Sequence, residues 1–322
     1  MTPACARSWT SGNRNRDDAG AALVTKPLAG LGTALERLYR EFDRSGRLSD
    51  PIERVRPFTA PADREVVGFL AAGLAFGRVA SVLASIDAVL AVMGPSPSAF
   101  VRRFDPARDA PALSGIVHRW TQGRDLAGVL SILRHMLDTA GSIEQFFLEG
   151  DDPAAPDIAP GLESFCRRAR AVDLRPVYGR VPARPGAHGF FALPSTGSAC
   201  KRLNLFLRWM VRRDDIDLGV WTHVSKSRLI MPLDVHVIRV GQCLGLTSYR
   251  SPGWRMAADI TRHLREIEPA DPVRYDFALC HLGMLDLCGF NQPAGDSRCP
   301  LRGACRPRSH TPRLSHRPSG RP

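Results

Sequence analysis

The chain has 322 residues, enough for one large or two modest domains, and its 44% hydrophobic content supplies a sizeable core. Lys and Arg outnumber Asp and Glu by 44 to 32, and the net charge of +12 favours a polyanionic partner, nucleic acid first. The longest apolar run, Val66 to Phe76, is too short to span a bilayer, and residues 1–20 lack the apolar core of a signal peptide, which argues against membrane and exported classes. A cytoplasmic, nucleoid-associated monomer is expected, with no membrane partner. Eight cysteines then read as reduced thiols, scattered ones packing and clustered ones suggesting a metal.

In chain order, residues 1–29 are expected to be a disordered basic tail, rich in polar residues and poor in apolar ones. One helical domain follows over 30–305, and a second basic tail over 306–322. Helices are expected at Gly32 to Asp43, at Asp63 to Met93 with a break, at Leu126 to Thr139 and at Ser142 to Leu148. Gly68, Ala71, Ala72 and Ala75 give the second a small-residue face that reads as core packing, flanked by Arg64 and Arg78. Pro95, Pro97 and the Asp105 to Pro111 stretch read as loops, and Asp151 to Pro160 as a boundary. Residues 174–192, with three prolines and three glycines, read as a long loop, and a boundary between two lobes is expected near 174–196.

Leu193 to Arg213 feeds a small polar turn into an amphipathic helix. Leu203, Phe206, Leu207, Met210 and Val211 recur at i, i+3, i+4, i+7 and i+8, while Lys201, Arg208 and Arg212 line another face. That basic face reads either as solvated surface or as a phosphate grip fed by the turn's backbone N–H groups. Further on, Pro232 makes residues 229–231 extended and starts a helix near Leu233, so Asp234 falls in its first turn. Leu233, Val237, Val240 and Leu244 form one buried stripe of that helix. Asp234 reads either as a plain helix cap or as an acid held ionised by the helix dipole. The last helices run from Trp254 to Ile267 and from Val273 to Leu287, the latter with apolar positions 273, 277, 280, 284 and 287. Cys288, Cys299 and Cys305 then share a Gly/Pro-rich loop, which suits either a metal centre or three unligated thiols. The pattern lacks a fourth ligand: Asp296 stands where a cysteine would complete C-x₂-C with Cys299, and Cys280, His281 and His310 are candidate substitutes.

Three of these pieces, in this order, resemble the helix-hairpin-helix DNA glycosylases of the endonuclease III type: LPSTGSACK in the hairpin's place, LDVHVIR in the catalytic segment's, and the three-cysteine loop. More closely, GSACKRLNLFLRWMVR, PLDVHVIR and DPVRYDFAL resemble an uncharacterised bacterial family with a conserved domain of unknown function, over about Leu35 to Cys305. The first resemblance implies an all-α, two-lobed domain with a C-terminal cysteine loop and a base-excising N-glycosylase that uses the carboxylate of Asp234. It implies DNA contacts from Ser195, Thr196, Gly197, Ser198, Lys201, Arg202, Arg208 and Arg239. At Cys288, Cys299 and Cys305 it implies a 4Fe–4S cluster with an incomplete ligand set, or zinc. The chain departs from that pattern at Ser195 for a glycine, at Ala199 where bifunctional members carry their lysine nucleophile, at Val235 for a threonine and at Asp296 for a cysteine. Lys201 is thus expected to grip phosphate and not to form a Schiff base. Trp209, Trp221, His188 and Phe190 are candidate pocket residues. Two other classes compete: a nucleic-acid-binding protein without excision activity, and a metal-dependent enzyme built near Cys280 to Cys305.

Overall fold

The computed structural model describes residues 30–43, 50–285, 287–288 and 299–305. The expected tails, Asp296 and His310 lie outside the described residues. Among those described, the fold is all-α, with thirteen α-helices and one two-stranded hairpin. The first three helices are α1 (Leu31–Asp43), α2 (Pro61–Leu74) and α3 (Val79–Met93). The expected break falls at 75–78, where Gly77 takes a left-handed φ of +103° that only glycine adopts cheaply.

The stretch expected as loops instead holds α4 (Pro97–Arg102) and α5 (Pro106–Leu113). Both prolines sit in the first turn, where the missing N–H has no partner to lose. Asp105 caps α5 by accepting from the amides of Ala107 and Arg108. The hairpin follows, with β1 (Val117–His118) and β2 (Thr121–Gln122) antiparallel. It runs into α6 (Gly123–Thr139), which starts ahead of the expected Leu126 because Gln122 and Asp125 close a capping box. Next come α7 (Ile143–Leu148), capped by Ser142, and α8 (Ala159–Arg170). The expected long loop is also partly helical, with α9 (Arg175–Tyr178) and a 3-10 turn at Gly186–Phe190 that sends Ala187, Phe190 and Phe191 into the core. Gly73 on α2 admits Phe190, since a Cβ there would lie 2.5 Å from the ring.

Helix α10 (Lys201–Val211) lies against α2, and its five stripe residues are all buried. Helices α11 (Val235–Cys243), α12 (Trp254–Ile267) and α13 (Asp276–Met284) complete the set, with α11 packed along α13. One continuous hydrophobic cluster runs from Leu31 to Ala304. Glu65 on α2 is buried inside it and accepts from the amides of Ile143 and Glu144 and from Trp221 Nε1 (2.7 Å), so one helix caps the N-terminus of another. No helix among the described residues is long and apolar enough to cross a membrane.

Candidate functional site

Residues 229–234 are extended, and α11 starts at Val235, two residues later than the pattern predicts. Asp234 is therefore the N-cap and not a first-turn residue. Its Oδ1 accepts from the amides of His236 (2.9 Å) and Val237 (2.7 Å), filling two of the donors a helix start leaves open. Its Oδ2 accepts from the thiol of Cys280 on α13 (2.8 Å). The stripe of Leu233, Val237, Val240 and Leu244 is buried as expected, so the core holds the helix and the helix holds the acid.

Asp234 lines a cavity of about 490 Å³, within the range of small-molecule sites. Asp50, Pro51 and Pro252 lie at its wall, and the rest comes from the helices and the segments that join them. The α2–α3 junction gives Ala75, Phe76, Gly77 and Val79; α10 gives Lys201, Leu205 and Arg208; the extended run and α11 give Leu233, His236 and Ile238. From α13 come Asp276, Phe277, Cys280, His281 and Met284. Of the apolar positions noted in that helix, 277, 280 and 284 face the cavity, while Ala278, Leu279 and Leu282 face the core. Gly283 lets α13 close on α11, because a Cβ would lie 2.6 Å from His236 Cβ.

The cavity floor is charged. Arg208 is 3% exposed and pairs with Asp217 (3.1 Å) and Asp276. Arg212, one turn on, pairs with Asp214 (2.8 Å), Asp217 and Asp271 (2.9 Å). Burial lifts the Asp276 carboxyl to about 6 against the pull of Arg208, with Asp234 adding to the rise. Burial, reinforced by Asp234, pushes the Cys280 thiol well up, so it stays a protonated donor. Burial also lowers His281, whose Nδ1 lies 2.8 Å from the Phe277 carbonyl, and favours the neutral ring. The site thus offers one capped carboxylate, an amino group, a thiol donor and apolar walls.

A family model matches residues 50–285, that of DUF2400, described as a protein of unknown function. The chain belongs to this family. No curated protein and no solved structure matches it. In this DUF2400 protein Lys201 joins Asp234 in the cavity, its Nζ 3.4 Å from the Ala75 carbonyl. The other candidate DNA contacts are distributed differently. Arg208, expected on an exposed basic face, is buried among carboxylates, as is Arg212, so neither is available to phosphate. Arg202 donates to the carbonyls of Gly73 (2.7 Å) and Gly189 and lies over the rings of Phe76 and Phe190, which makes it a clamp between segments.

Ser195 spends both its amide (3.0 Å) and its hydroxyl (2.7 Å) on Glu163, whose carboxylate opposes an anion there. The Thr196 hydroxyl donates to the Leu193 carbonyl, and Ser198 Oγ accepts from the Cys200 amide. Gly197 takes the left-handed turn, and its carbonyl accepts from the Trp254 amide (3.1 Å). Arg239 and Arg78 are exposed, whereas Arg64 donates to the Phe58 carbonyl (2.6 Å). Of the expected pocket residues, Trp209, Trp221 and Phe190 are buried in the core, and neither they nor His188 lines the Asp234 cavity. Cys288 and Cys299 are buried and Cys305 is half-buried. Among the described residues no three His, Cys, Asp or Glu side chains converge as metal ligands.

Proposed function

We propose that this DUF2400 protein binds nucleic acid and excises a base by hydrolysing its N-glycosidic bond, with Asp234 as the working carboxylate. The frame would be of the helix-hairpin-helix glycosylase type, its two lobes meeting near 174–196. One observation carries the reading: Asp234 is fixed by two helix amides and a thiol at the wall of an apolar cavity that also holds Lys201. As the bond from sugar to base breaks, its electron pair leaves with the base and positive charge grows on the sugar. A fixed carboxylate stabilises that charge and takes the proton of the water that adds to the sugar carbon. The base must first leave the duplex stack, and the cavity is where it would lodge.

A second reading, a nucleic-acid-binding protein without excision activity, is favoured by the engagement of both Asp234 oxygens by protein donors. Duplexes carrying uracil, oxidised or alkylated bases, scored for abasic sites and for binding, separate the two. Release of any base supports excision, binding without release supports the second reading, and neither result refutes both. Lys201→Gln should weaken binding to every sequence and reduce the salt slope by about 1. A lysine nucleophile would instead reveal itself by losing borohydride trapping to DNA.

A further inference from the structure

Trp120, at the tip of the β1–β2 hairpin, is 68% exposed, the most of any large hydrophobic side chain among the described residues. A tryptophan so placed leaves a large apolar ring in water, which marks a contact surface when the ring is held in place. Here it is held. His118, buried under the hairpin, is 2.9 Å from Ser85 Oγ through Nδ1 and 2.9 Å from the Phe76 carbonyl through Nε2. The Phe76 ring stacks on Trp120 with centroids 4.6 Å apart and planes 19° apart, and His118 packs edge-on to it. Gly77 leaves the space through which the Arg119 side chain passes, a Cβ there lying 3.2 Å from Arg119 Cδ.

Phe76 is also a shared wall. On one side lies the Asp234 cavity; on the other is a cleft of about 250 Å³ lined by Phe76, Trp120, Phe190, Lys201 and Arg202. Cations ring the stack: the Arg119 guanidinium is 5.5 Å from the Trp120 ring centre, and that of Arg202 is 5.1 Å from the Phe76 ring centre. A flat apolar face rimmed by arginines complements a flat ring carried on a polyanion. We infer that the Trp120–Phe76 stack and its cleft hold an unpaired nucleobase of single-stranded nucleic acid. The inference rests on the nucleic-acid-binding part of the reading above, and not on excision.

The test compares three labelled probes by fluorescence anisotropy: a single-stranded oligodeoxynucleotide, an abasic analogue of equal length and charge, and a blunt duplex. The full-length protein should prefer the base-bearing strand to the abasic one. Trp120→Ala should weaken the first roughly 5- to 150-fold, the range for removing one base–aromatic stack. It should leave the abasic strand and the salt slope unchanged, since no phosphate contact is lost. Trp120→Phe, which keeps a ring, should retain most of the binding. If Trp120→Ala changes both strands equally or neither, the stack holds no base, while nucleic-acid binding stands. If the unaltered protein binds none of the probes, both readings fall. If it sediments as a dimer that Trp120→Ala dissolves, the ring is covered by a second copy and the inference is overturned.

Discussion

Replacing Asp234 by Asn and by Ala separates two jobs held by one carboxylate. The Asn amide oxygen can still accept from His236 and Val237. What it loses is the charge facing the helix dipole and the acceptor for the Cys280 thiol, together about 1 kcal/mol. Ala removes the cap as well, about 1 kcal/mol more, and strands the thiol, so the expected loss is about 2–3 kcal/mol. At about 2–4 °C per kcal/mol for a domain of this size, Ala should lower Tm by roughly 4–12 °C and Asn by half that or less. Chemistry should not follow this gradation. If the charge stabilises the developing sugar cation, both variants lose excision by about 10²- to 10³-fold. Thermal unfolding measures the first effect, and single-turnover release of abasic sites from a processed substrate measures the second. Full excision by Asp234→Asn would refute the catalytic role and leave Asp234 as a helix cap.

Three further outcomes are expected. Asp276 binds its proton up to about pH 6 in the folded state but near 3.8 when unfolded, so its contribution to stability falls as pH rises across that window. Asp276→Asn removes the titration, and the stability of the unaltered protein relative to this variant should fall by up to about 3 kcal/mol between pH 4 and 7; a constant difference would show that burial does not shift the group. Gly283→Ala should cost about 1–3 kcal/mol by forcing α13 away from His236, read as a lower denaturant midpoint; an unchanged midpoint would mean the helices pack more loosely than described. The spacing of Cys288, Cys299 and Cys305 supports a structural metal proposal, for which anaerobically purified protein should carry near-stoichiometric iron or zinc. Finding neither metal refutes it.

What the sequence reveals depends on how locally each feature is determined. The α10 stripe, the α11 stripe and the bounds of α12 follow from spacing within one helix, and all three are where the pattern puts them. The identity of the face is another matter. Phe277, Cys280 and Met284 repeat as a core stripe would, but apolar residues line a cavity as readily as a core, and periodicity cannot tell the two apart. Arg208 and Arg212 mislead for a related reason: an arginine opposite an apolar stripe reads as solvated until distant carboxylates bury it. Asp271 and Asp276 arrive from far along the chain. Pro97 and Pro106 break a pattern when read inward and begin a helix when read outward. The Cys280 thiol on Asp234 left no signal, since it depends on how α13 lies against α11.

The paired arginines also fix where α10 sits along its own axis. Arg208 and Arg212 are one turn apart yet take different carboxylates, Asp276 for the first and Asp214 and Asp271 for the second, with Asp217 between them. A one-turn slip of the helix would carry a guanidinium out of this set and leave buried carboxylates uncompensated, a loss of several kcal/mol. Hydrophobic stripes resist such sliding weakly, because leucine can replace phenylalanine or methionine with modest loss. Lys201 stands at the other end of α10, roughly 10–16 Å away at 1.5 Å per residue. The height at which its amino group meets the cavity is thus indexed by aspartates beyond its own reach.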